Sequence, residues 1–227
     1  MKKIIFILLV LSISINCQSF TVEKINGDVK ALIGYSEEWI KVKEGQILKG
    51  SDLIATGDKS YVILNNNGSR FILQSNSALG INNIKKISIN ELLLALAMEE
   101  IRNLPKNKEN DTRRNTAVYG EKVGSSSTIK NSLSDLGIKK LNGAKHLVKN
   151  GYKESGILLA KETFRKYPDT KSKIEDRLFF VDVMIDIGIL NEALTELDDI
   201  KEKCSKESQI EKVEERYEKI KEILSKK

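Results

Sequence analysis

The spacing of hydrophobic positions changes character along the chain. Residues 4–15 are one apolar run, broken only by Ser12 and Ser14. From residue 19 to 87 the apolar residues come in short groups, punctuated by Gly27, Gly34, Gly45, Gly50, Gly57, Gly68 and Gly80. Turn signals this frequent predict an all-β unit. Its strands fall at Phe20 and Val22, Val29–Ile33, Trp39–Val42, Leu53–Ala55, Tyr61–Leu64 and Phe71–Leu73. The clearest hairpin crosses Asn65-Asn66-Asn67-Gly68, because Asn and Gly accept the positive φ that a tight turn requires. Trp39 is expected to fill the core between strands rather than to form a stacking platform.

A different pattern begins at Ser88. Ser88 and Glu91 fit a capping box, and Leu92, Leu93, Leu94, Leu96, Ala97 and Ile101 give the helix that follows a wide apolar stripe, ending at Pro105. A stripe this wide suits a helix that lies against the sheet or bridges two halves, with partner binding as the other option. Residues 105–132 are polar and rich in turn formers, the composition of a linker. From Leu133 onward the period is helical. Gly151 and Gly188 are 37 residues apart, as are Gly156 and Ala193, a period that suggests helix-hairpin repeats. A last helix is expected from Ser208, capped by Glu211 and carrying Ile210, Val213, Tyr217, Ile220 and Leu224 on one face. Two repeats and a cap are few for a free-standing array, so the helices are expected to pack on the β unit or on another chain.

The β segment resembles the FecR domain. The resemblance is carried by Gly27-Asp28-Val29, Trp39, Gly45, Leu48, Gly50, Leu53, Ile54, Thr56-Gly57, Asn67-Gly68-Ser69, Ser77 and Leu79. Ser51 and Asn67 depart from it, standing where the family usually or often has Asp. It implies a compact extracytoplasmic module used in signalling or binding, without catalysis. Arg114 to Gly120 resembles the segment that follows the core in many such proteins, and residues 116–119 are expected to add an edge strand. In the helical part, Gly188-Ile189-Leu190-Asn191-Glu192-Ala193-Leu194 and Lys166-Tyr167-Pro168-Asp169 resemble tetratricopeptide repeats. The expected fold class is therefore α+β in two domains. An all-β FecR-like domain with a terminal helix, over 17–104, is followed, after the linker, by an all-α, TPR-like helical-hairpin array over 133–227. Tyr152, Tyr167 and Phe179 belong mostly to the repeat core, and they are the candidates to line a groove for a partner.

The apolar run at the start, preceded by Lys2 and Lys3, is 12 residues long. A bilayer-spanning helix needs about 20, so residues 1–16 are expected to be an export signal. Cys17 closes it in the manner of a bacterial lipoprotein, although Ser14 and Asn16 replace the usual residues of the lipobox. Lipid attachment at Cys17 is the expectation; the alternative is cleavage nearby and release of a soluble protein.

Composition removes several chemistries. The 227 residues include one His and two Cys, so a structural zinc site of His and Cys ligands lacks material. His146 is expected to have a packing or surface role, Cys204 to pack, and Asp182 and Asp186 to be solvated or ion-paired. No phosphate-binding loop motif occurs. The net charge of +6 belongs largely to the signal and the linker, where six positive residues face three negative. A nucleic-acid surface would put its charge on a folded face. The expected function is a non-catalytic envelope lipoprotein that binds another envelope protein or peptide segment, sits at a membrane through its lipid, and uses no cofactor and no nucleic acid. It would be periplasmic or associated with the outer membrane. The alternatives are a part in trans-envelope signalling of the FecR type, and an envelope carbohydrate-binding module or enzyme.

Overall fold

The computed structural model describes residues 18–103 and 126–226. The export signal, Cys17 and the edge strand expected at 116–119 lie outside the described residues. Within them an antiparallel β region is followed by a helical region. The strands are β1 (Ser19–Asn26), β2 (Val29–Leu32), β3 (Ile40–Lys41), β4 (Ile47–Lys49), β5 (Leu53–Thr56), β6 (Tyr61–Asn66), β7 (Ser69–Leu73) and β8 (Ala78–Gly80). They form two four-stranded sheets, ordered β4-β1-β6-β7 and β3-β2-β5-β8. Period-2 alternation sends one row of each strand inward. Phe20, Val22, Leu48, Val62, Leu64, Phe71 and Leu73 from the first sheet join Val29, Ala31, Ile54 and Leu79 from the second in one cluster.

The positions behind the FecR resemblance act on the backbone. Gly27 has φ +78°, and a Cβ there would stand 2.3 Å from Ser60 Oγ, which accepts a hydrogen bond from the Asp28 N–H at 2.9 Å. Thr56 Oγ1 donates to the Gln74 carbonyl at 2.5 Å and accepts from the Ser77 N–H at 3.1 Å. Buried Asp52 accepts the N–H groups of Gly34 and Lys49, both at 2.8 Å. The expected hairpin is present as β6 and β7, with Asn66 opposite Ser69. Asn67 and Gly68, at φ +50° and +86°, make a two-residue turn whose positive φ values match the twist of the strands.

Six helices follow among the described residues: α1 (Ile89–Asn103), α2 (Ser126–Lys149), α3 (Lys153–Lys166), α4 (Ile174–Asp186), α5 (Leu190–Lys203) and α6 (Glu207–Ser225). The capping box at α1 forms as expected. Glu91 N–H donates to Ser88 Oγ at 3.2 Å, and Ser88 N–H donates to the Glu91 carboxylate at 2.7 Å. The helix α2 begins at Ser126, so residues 126–132, expected as the end of the linker, are helical. Their serines favour turns over helix on propensity alone. At α6 the expected cap is absent. The helix starts at Glu207 after extended Lys206, which leaves Ser208 inside the first turn with no capping bond.

The 37-residue repeat corresponds to two helical hairpins with the same turn. Gly151 N–H bonds the Val148 carbonyl and Tyr152 N–H the Leu147 carbonyl. Gly188 bonds Ile185 and Ile189 bonds Met184 in the same pattern. With Gly151 at φ +85° and Gly188 at φ +80°, each is a Schellman ending that turns one helix back along the next. A Cβ on Gly156 would meet Val148 Cγ2 at 2.6 Å, so the small residue sets the α2–α3 approach.

The helices pack on the sheet. A Cβ on Gly143 of α2 would lie 2.2 Å from the Ala78 carbonyl oxygen, so helix and β8 backbones touch directly. Asn150 at the end of α2 accepts from the Ile72 N–H and donates to the Ile72 carbonyl, both at 3.0 Å. It thereby pairs the open edge of β7 as another strand would. Asn142 Nδ2 donates to the Asn76 carbonyl at 2.8 Å, and Ser155 Oγ to the Lys85 carbonyl at 2.5 Å. One hydrophobic cluster runs through both regions.

Candidate functional site

Two clefts follow from this packing. The first opens where α2 crosses the end of the second sheet. Trp39, Ala55, Thr56, Gly57 and Leu136 form its walls around about 410 Å³. The pairs Asp28–Lys30 (3.3 Å) and Asp135–Lys139 (3.4 Å) stand at its sides. Trp39 is not a core residue: it is 40% exposed, with Ile40 of β3 at 44% and Tyr35 on the preceding loop fully exposed. This corrects the expectation from sequence. Its physical reason is that β3 is a two-residue strand at the edge of its sheet, where only Val42 turns into the core. Alternation does not decide burial on this edge, because Ile40, on the same side of the pleat as buried Val42, is itself exposed.

The second cleft, about 210 Å³, lies between α1, α3, α4 and α5 over Leu96 and Phe164. Its centre is the fully buried Arg177. Arg177 Nε donates to Glu196 Oε1 at 2.6 Å and Nη2 donates to Asp199, while Lys161 Nζ reaches Glu196 Oε2 at 2.5 Å. Burial pushes the Glu196 carboxyl up, but Lys161 and Arg177 outweigh it and hold the group below its ordinary range. Burial likewise opposes ionisation of Glu99, which Arg165 and Arg102 keep charged and below the usual range. These charges pair inside the protein and tie the helices together, while Arg177 Nη1 is buried without a hydrogen-bond partner.

The three aromatic candidates for a partner groove sit apart from both clefts. Tyr152 packs on Phe71 with ring centroids 6.0 Å apart. Tyr167 lies against Gly137, with Lys140 Nζ 5.7 Å from its ring centre. Phe179 meets Phe180 edge-on at 5.1 Å. All three are half-buried.

The remaining candidates have structural surroundings. His146 is buried, and that burial, with Lys149 and Lys145 nearby, pushes its pKa down to about 4, so the ring is neutral near pH 7. Asp182 pairs with Arg216 at 2.7 Å and Asp186 with Lys153 at 3.7 Å. Cys204 is half-buried at the end of α5 and packs against the core. Among the described residues, no three His, Cys, Asp or Glu side chains are grouped to hold a metal ion.

No family model, curated protein or solved structure matches the chain.

The sites are therefore read from their own chemistry. The cleft at Trp39 combines a large, half-exposed indole, an apolar floor and charged groups of both signs at its sides. Such a surface can bury an apolar anchor from a partner and bond the polar groups around it. Sequence reasoning missed the contributions of Asp28, Lys30, Asp135, Leu136 and Lys139. No local pattern signalled the site, since the α2 residues reach it through tertiary packing.

Proposed function

We propose that this protein is a non-catalytic, lipid-anchored protein of the cell envelope, and that the cleft under Trp39 binds a segment of another envelope protein. In this reading Cys17 carries the lipid, the β region is a FecR-like domain and the hairpins are a TPR-like array. The two antiparallel sheets, with their glycine and Thr56 contacts, support the first likeness. The paired Schellman turns 37 residues apart support the second. The single observation that carries the binding role is the half-exposed Trp39 over a cleft built jointly by sheet and helix. Trp is the residue type most enriched where binding energy concentrates. No nucleic acid and no cofactor enter this function.

A photoreactive residue placed at Leu136 in the native envelope tests it. The expected result is one envelope-protein adduct, absent from the Trp39→Ala chain and absent when the probe is moved to Lys212 on α6. No adduct from position 136, or one indifferent to Trp39→Ala, would overturn the proposal. The same indole favours one second reading, a carbohydrate-binding module, because an exposed Trp face stacks on sugar rings. Saturable quenching of Trp39 emission by an envelope oligosaccharide would select that reading instead.

A further inference from the structure

The helix α1 is apolar on two opposite sides. Leu92 and Leu96 are buried on the side facing α3, where Glu99 meets Arg165. The other side carries Leu93, Leu94, Met98 and Ile101, from 38% to 67% exposed, with no partner among the described residues. At 100° per residue, Leu93, Ala97, Asn90, Ile101, Leu94 and Met98 fill an arc of about 140° that holds no charge. Glu91 and Arg102 border it on one side and Glu100 on the other. A face of this kind on an exposed helix calls for a cover.

The start of the described chain indicates what covers it. Gln18, the residue after Cys17, donates its side-chain amide to the Ile84 carbonyl. Ile84 precedes Ile89, the first residue of α1, by five positions. At about 3.5 Å per residue, plus one side chain, Gln18 stands within roughly 25 Å of the helix, comparable to the helix's own length of about 22 Å. Exposed Lys85 and Lys86 follow Ile84, and exposed Lys49 pairs with Ser19 across β1 and β4. Three exposed lysines thus lie within a residue or two of the contacts made by Gln18 and Ser19. That charge suits anionic lipid headgroups, and the arc suits the acyl region beneath them.

We propose that the outer face of α1 lies on the membrane surface beside the acyl anchor, forming a second, non-covalent contact with the bilayer. The proposal rests on acylation of Cys17. A neighbouring apolar and basic surface adds to the attachment by the lipid and fixes its orientation. With α1 flat on the membrane, the protein is held in one pose instead of swinging from its lipid.

The test uses the full chain with Trp39→Phe and Leu94→Trp, mixed with vesicles of phosphatidylethanolamine and phosphatidylglycerol whose acyl chains carry bromine. The mass of the mature N-terminus is measured on the same preparation. The expected result is a blue-shifted Trp at position 94 that loses most of its emission to the brominated lipid and is shielded from iodide. A control Trp at Leu224 on α6 should behave oppositely. Emission at position 94 quenched by iodide and not by bromine overturns the proposal. So does emission shielded from both, which would mean that a second copy or another part of the chain covers the face. An acylated N-terminus with position 94 in water leaves the anchor standing and removes the α1 contact. A missing acyl group with position 94 in lipid does the reverse.

Discussion

Gly143→Ala adds a single methyl group where α2 meets β8. Its carbon would stand 2.2 Å from the Ala78 carbonyl oxygen and 3.1 Å from the carbonyl carbon. Carbon and oxygen atoms normally approach to about 3.3 Å, so the helix must withdraw by about 1 Å. Both sides of the contact are backbone, and neither can turn away as a side chain would. Overpacking of this kind costs about 1–3 kcal/mol, and a rigid contact belongs at the upper end. Replacing Gly by Ala inside a helix returns about 1 kcal/mol, which leaves a net loss of about 2 kcal/mol. For a chain of this size the expected fall in Tm is about 4–8 °C. Urea unfolding of the full chain, followed by the emission of Trp39 beside the α2 cleft, measures it. A variant that is more stable by about 1 kcal/mol, the propensity gain without the clash, would refute direct packing of α2 on the sheet.

Three further outcomes are expected. Arg177→Met leaves the buried Glu196 with Lys161 alone and should cost about 2–3 kcal/mol, of which Arg177→Met with Glu196→Leu recovers a part, as chemical denaturation of the two variants will show. His146 titrates near 4 in the folded protein against 6.5 when exposed, so the unfolded chain binds the extra proton between these values. Its contribution to stability is therefore complete above pH 6.5 and is lost as the pH falls toward 4, up to about 3 kcal/mol in total. Denaturation midpoints of wild type and His146→Gln across that window should converge in slope only if the ring is not responsible. Asn150→Ala removes both bonds to Ile72 and should cost about 1–2 kcal/mol while speeding amide exchange at Ile72, measured by mass spectrometry.

The fold was legible where local chemistry decides it. The Asn67-Gly68 turn, the Ser88 and Glu91 cap and the Gly151 and Gly188 hairpins are each written in residues adjacent in sequence. Strands β4 and β8, three residues each, were too short for their alternation to separate them from loops. The junction between the two regions was only half legible. Packing of helices on the β region followed from the small number of repeats, but nothing near Gly143 announces that Ala78, 65 positions earlier, is its neighbour. The site failed in the same way. Trp39 was placed inside because large apolar residues usually are, whereas a two-residue edge strand with polar flanks could not bury it. Its cleft is completed by α2, which no local pattern connects to β2 and β5.

The binding role of the cleft turns on Trp39. Affinity for the protein captured from position 136 is the most direct measure of its role, taken with the wild-type chain and with Trp39→Ala by titration calorimetry. Loss of a central Trp should weaken binding by about tenfold or more, the scale of a residue on which binding energy concentrates. Affinities that agree within about twofold would contradict the assignment of the cleft as the binding site.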